Sequence, residues 1–179
     1  MINININNVE YSVPQSWNDV SIGTFKKIQV ITQSIGEKVE TLIDLEVVAA
    51  FIGCSVDILM TFKKDDFMII KDALVFSDSD IVKTNKLEFM IKGKKHLRIL
   101  NLGQLTMGNT IDLENIIKDT EECDLIEAIL PILIREGFKE RRGAKMKPSE
   151  FSAEDYPANK ELYRDNISIA DAMFVMDFF

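Results

Sequence analysis

Twice in 179 residues the hydrophobic period of this chain switches from two to between three and four, and each switch passes through the same short pattern. Residues 2–13 read INININNVEYSV, in which Ile2, Ile4 and Ile6 alternate with Asn, and Val9, Tyr11 and Val13 alternate with other residues after Asn7-Asn8. Alternation on both sides of an Asn pair predicts a β-hairpin, because Asn tolerates the positive φ that a tight turn demands. Pairing Ile6 with Val9, Ile4 with Tyr11 and Ile2 with Val13 makes one side of the ribbon wholly apolar, so that side must cover something. Pro14 has no amide proton for a ladder and ends the second strand. A second hairpin is predicted in KLEFMIKGKKHLRIL. There Ile91 would face Leu97 and Phe89 would face Ile99 across a Gly93-Lys94-Lys95 loop.

Each hairpin leads into one junction. Trp17-Asn18-Asp19-Val20-Ser21-Ile22-Gly23-Thr24 aligns without a gap on Leu102-Gly103-Gln104-Leu105-Thr106-Met107-Gly108-Asn109. Ser21 and Thr106 are placed to cap helix starts by accepting backbone N–H bonds, with Val20 and Leu105 as hydrophobic staples. The spacing of about 85 residues exceeds that of solenoid repeats, which run about 20–50 residues, and suits a duplicated small domain; a chance likeness is the alternative. The expected fold is α+β, in two pseudo-repeated modules, each a hairpin followed by several helices. Module one spans residues 1–83 and module two spans 84–179, with Trp17, Gly23 and Gly108 as structural anchors.

Leu42 to Ile52 is apolar almost all round, which predicts a buried helix stopped by Gly53. Leu125, Ile126, Ile129, Leu130, Leu133 and Ile134 form a comparable stripe, with Pro131 expected to kink or delimit it. Further helix is predicted over Asp65 to Phe76, Pro157 to Arg164 and Ser168 to Phe178, where Ser168 and Asp171 resemble a capping box. Gly137 to Tyr156 has no apolar period and reads as a charged loop, 137–156, of the length that functional or mobile loops have.

Composition narrows the function classes. Nearly half the chain is apolar, enough for a packed core, and Cys54 and Cys123 have no ligand-spaced partners for zinc. Both fall in apolar patterns, where a thiol behaves as a small hydrophobe. The single histidine, His96, sits among Lys94, Lys95 and Arg98 on a predicted strand and reads as structural, which removes the ordinary triads. The carboxylate pairs Asp65-Asp66 and Glu121-Glu122 with Asp124 fall in predicted first turns, where negative charge suits the helix dipole without any metal. Asp78 and Asp80 lie in a Ser-rich linker. No cofactor, metal or catalytic residue is therefore assigned, and the chain reads as no enzyme.

A net charge of -8 argues against broad nucleic-acid binding, and no run is long enough to span a bilayer. Met1 opens on alternating Ile and Asn with no basic start, so the expected compartment is a cytosol. The local exception in charge is REGFKERRGAKMK, where Arg141, Arg142, Lys145 and Lys147 are candidate contacts to an acidic partner. At the other candidate surface, Phe174, Phe178 and Phe179 belong to a segment apolar on more than one face, which suggests two packing partners. The abundance of Ile, Asn and Lys fits an AT-rich genome.

VPQSWNDVSIGTF, LRILNLGQLTMGNTIDLENII and SIADAMFVMDFF together resemble small virion and assembly proteins of tailed bacteriophages infecting Bacteroidetes, including crAss-like phages. The resemblance covers most of the chain as ordered hydrophobic spacing with no catalytic signature. It implies a homo-oligomeric ring or collar at the head-tail connector or tail, touching portal, ring or tail subunits. The protein would be made in the host cytoplasm and retained in the virion. A tail assembly chaperone absent from the mature particle is the alternative.

Overall fold

The computed structural model describes residues 1–34, 39–121, 124–139, 141 and 144–178. The chain is mixed α+β, and its contacts gather into two compact units. One comprises Met1–Val82 with Ser168–Ala170, the other Lys83–Ile167 with the residues from Asp171 on.

In the first unit, β1 (Ile2–Ile6) and β2 (Val9–Val13) pair antiparallel, with Ile6 opposite Val9, Ile4 opposite Tyr11 and Ile2 opposite Val13. Asn7 and Asn8 take φ of 52° and 64°, the left-handed pair that a two-residue turn needs to match the strands' twist. On the apolar side Ile6 and Val13 are buried, and the Tyr11 ring meets Phe62 edge-on at 5.4 Å. A 3-10 turn at Trp17–Asp19 leads to α1 (Ile22–Gln33), whose cap is Ser21: its hydroxyl accepts the Thr24 amide. α1 packs on α2 (Glu40–Ile52), which stops at Gly53 in the left-handed region with φ 71°. Next come α3 (Val56–Leu59), capped by Ser55, and α4 (Lys64–Ala73), followed by a 3-10 turn at Val75–Asp78. Asp65 and Asp66 occupy the first turn of α4, where the dipole favours them. Ser168 closes an antiparallel bridge with Ser21, and the Ile169 N–H donates to the Val20 carbonyl at 2.8 Å.

The second unit holds β3 (Glu88–Ile91), β4 (Lys94–Arg98), β5 (Ile134–Phe138) and β6 (Lys147–Pro148) in one antiparallel sheet of that order. Its first hairpin differs from the expected register. The turn is the two-residue Lys92-Gly93, with φ of 48° and 78°, so Ile91 faces Lys94, Phe89 faces His96 and Glu88 faces Leu97. A tight turn with two positive φ values wins over a three-residue loop because Gly93 takes the second position without strain. The shift brings His96 onto the buried face with Phe89 and Ile91, while Leu97 is only half-buried.

A 3-10 turn at Leu102–Gln104 then leads to α5 (Met107–Asp119), capped by Thr106, whose hydroxyl accepts the Asn109 amide. α6 (Leu125–Leu133) carries Pro131 internally and packs on α5, α7 (Tyr156–Asn166) and the 3-10 turn Met173–Phe178. The short α8 (Ile169–Ala172) precedes that turn. Ile134, expected to end the helical stripe, instead begins β5. The expected loop 137–156 is corrected as well: Gly137 opposes Pro148, Phe138 opposes Lys147, and the Ser149 N–H donates to the Glu136 carbonyl at 2.8 Å. Of the described residues between the two strands, Lys139, Arg141 and Ala144–Met146 lie outside them, at the β5–β6 tip. The two units share the order hairpin, 3-10 turn, capped helix, but β1 and β2 form a ribbon of their own whereas β3 and β4 belong to a four-stranded sheet, and the later elements differ, so the shared order alone does not make the units repeats of one module.

Candidate interaction surfaces

Phe174, expected to face a partner, is wholly buried, and the Arg98 guanidinium sits 3.8 Å from its ring centroid in a cation–π contact. Phe174 and Val175 are buried in the unit, where the turn Met173–Phe178 lies against α6, while Met176 is 44 % exposed; Phe174 itself offers nothing to another polypeptide. Phe179, the Phe178 side chain, Arg142 and Cys123 lie outside the described residues. Arg141, Lys145 and Lys147 are exposed at or beside the β5–β6 tip, and Phe138 at its base is 43 % exposed. A Cβ added at Gly137 would meet Met146 Sδ at 2.5 Å, so the Met146 side chain would have to move aside.

Trp17 is half-buried amid Phe25, Phe51 and Phe76, with ring centroids 5.4–6.2 Å away, and its indole N–H donates to the Ser79 carbonyl at 3.0 Å. Gly108 is corrected as an anchor. An added Cβ would meet only Thr106 Oγ1 at 3.8 Å, ordinary contact, and neither Gly108 nor Gly23 has positive φ. Cys54 follows α2, half-buried, and burial raises its thiol pKa, which opposes reactivity.

The polar groups that sequence reasoning underrated cluster in the second unit. His96 is 3 % exposed; its Nδ1 shares a 3.0 Å hydrogen bond with the Tyr163 hydroxyl, and Nε2 has no partner among the described residues. Burial lowers the His96 pKa, with Glu136 opposing and Lys94 reinforcing, so the ring is held neutral. Burial also raises the Tyr163 pKa, with Glu136 adding to it and Arg135 partly offsetting. Arg135, itself buried, donates to the Ile132 and Ser149 carbonyls at 2.9 and 3.3 Å and to Asn109 Oδ1 at 3.1 Å. It ties β5 to α5 and to the chain just after β6. Arg135 and Tyr163 line a cavity of about 270 Å³ with Glu136, Glu150 and Asp155. A neutral imidazole held by a phenol, beside an arginine engaged with neutral acceptors, is a cross-brace. The signal for it in sequence was a polar residue at an inward strand position, visible only once the register is known.

Apolar surface stands open at the second junction. Leu100, Leu102, Met107 and Ile111 are 53, 41, 76 and 51 % exposed, and Met107 and Ile111 share one face of α5 by their four-residue spacing. In the same unit, β3 has no strand on its outer edge among the described residues, and Met90 on it is 68 % exposed. β1 and β2 form a two-stranded ribbon, so each has one unpaired edge among the described residues. Among the described residues no group of three His, Cys, Asp or Glu could hold a metal ion, and no helix is long and apolar enough to cross a membrane. No protein-family model, curated protein or solved structure matches this chain.

Proposed function

We propose that this chain is a non-enzymatic virion protein of a tailed bacteriophage, which assembles with copies of itself into a ring or collar at the head-tail connector or tail. The observation that carries the reading is the exposed set Leu100, Leu102, Met107 and Ile111, together with strand edges that have no partner among the described residues, surface that another polypeptide covers at a gain of about 25 cal/mol per Å² of apolar area. The phage setting rests on the resemblance of the junction and C-terminal segments to phage assembly proteins, and the basic tip supplies a charged contact to neighbouring portal, ring or tail subunits. Phe174 takes no part in it.

Sedimentation of the purified chain, alone and with portal or tail subunits, together with mass spectrometry of purified particles, tests this. Oligomers or a stable complex, and the chain present in particles, are the expected results. A chain that binds its neighbours yet is missing from finished particles would be an assembly chaperone. One that stays monomeric and binds none would refute both.

A further inference from the structure

The first unit holds a groove of about 680 Å³ between α1, α2, α4 and the turns before α1 and after α4. Its interior is apolar: Ile43, Val48 and Leu74 are buried there, and Met68 and Val75 stand 42 and 66 % exposed. The border is acidic, with Glu40, Asp44, Asp72 and Asp78; Lys71 is the one cation among the described lining residues, and it is paired with Asp44. The surrounding sequence has the same sign, since residues 1–82 hold twelve acidic side chains against six lysines. Such a groove favours a guest with an apolar residue flanked by cations.

The β5–β6 tip has that chemistry. Phe138 is half-exposed at its base, and Lys139, Arg141 and Lys145 are exposed along it. The other basic turn, at Lys94 and Lys95, spends its charge within its own sheet, on Glu136 and Glu88 at 2.8 and 2.6 Å. We propose that the tip of one copy, with Phe138 inserted and Lys139, Arg141 and Lys145 on the acidic border, seats in the groove of a second copy. This deepens the homo-oligomer reading and rests on it. Tip and groove are different surfaces, so the contact is head-to-tail, the kind that closes into a ring when its rotation allows.

The test is sedimentation velocity on the full chain across a concentration series at two salt concentrations. It compares wild type with a tip variant (Lys139→Glu, Arg141→Glu, Lys145→Glu), a groove variant (Glu40→Lys, Asp72→Lys, Asp78→Lys), Phe138→Ser and an equimolar mixture of the two charge variants. All the changed residues are exposed, and circular dichroism checks that each variant folds. Wild type should associate, more weakly at high salt, and each variant alone should lose about tenfold or more in affinity. The mixture should regain association, because reversed tip then meets reversed groove. Wild-type association that the tip variant leaves intact, or a mixture that regains nothing, overturns the docking while leaving the oligomer standing. A wild type that stays monomeric at every concentration overturns both, and a monomer that uses the same tip on a portal or tail subunit names a different occupant and overturns the docking.

Discussion

The two hairpin-to-helix junctions begin alike and end differently. Ser21 and Thr106 take nearly the same backbone angles, φ −67° and −73° with ψ 157° and 163°, and each accepts the amide three residues on. Yet Val20 and Ile22 are 2 and 4 % exposed, whereas Met107 is 76 % exposed and Leu102, the counterpart of Trp17, is 41 % exposed. In the first unit three aromatic rings surround Trp17, and Ser168–Ala170 lies along the backbone of Val20 and Ser21. Local sequence sets where a helix starts; what covers it is decided by distant chain, and the second junction is left with apolar surface in water.

The largest expected effect separates core from contact surface. Phe174→Ala should destabilise the second unit by about 3–5 kcal/mol, since a fully buried ring is lost and Arg98 loses the face it stacks on. Urea denaturation measures it. An unchanged midpoint with weakened self-association would restore Phe174 to the interface. At the junctions, Ile22→Ala should cost about 2–4 kcal/mol and Met107→Ala less than about 0.5 kcal/mol in the same assay. Equal costs would mean that Met107 is covered within the chain, and the contrast between the junctions would disappear.

A middle-sized effect concerns the buried histidine, which the first unit has no counterpart for. Its folded pKa lies below the ordinary 6.5, so the unfolded chain takes up the proton first as pH falls. The stability contributed by the neutral ring is therefore fully present above pH 6.5 and declines below it. His96→Gln should flatten stability between pH 6.5 and 5 relative to wild type, followed by denaturation at each pH. Tyr163→Phe should cost about 1–3 kcal/mol at neutral pH, because it leaves a buried ring nitrogen without its partner. A wild-type stability that is flat over this range would show that His96 is reached by solvent.

Much of the first unit could be read from sequence because its signals are local. Asn7-Asn8 fixed the turn and hence every strand pair, Ser21 the start of α1 and Gly53 the stop of α2. In the second unit the decisive pairing is remote. β5 begins at the last residue of an apolar run that is otherwise helical, and β-branched Ile132 and Ile134 do not separate a buried helix from a buried strand. Without β5, the central place of β4 is invisible, and His96 among lysines looks like a surface residue. Lys92 at positive φ disguised the turn in the same way, since sterics disfavour it there and only the flanking Gly93 hinted at it. The candidate site followed this split: the basic tip was readable as composition, whereas the groove is assembled from five elements and exists only in the fold.

The smallest expected effect tests the shared root of the comparison. Ser21→Ala and Thr106→Ala each remove the acceptor for one orphan amide at a helix start, and each should cost about 1 kcal/mol. Ser21 belongs toward the upper end, because its hydroxyl also meets Thr24 Oγ1 at 3.1 Å in a half-buried setting, whereas Thr106 is exposed and water can replace it. Replacing either with Gly should cost only a few tenths of a kcal/mol, since Gly lets water reach the amide. Urea midpoints of the four variants read this out. A Thr106→Ala change with no cost would mean that α5 starts without its cap in solution, and the two junctions would then differ in their local chemistry as well as in what covers them.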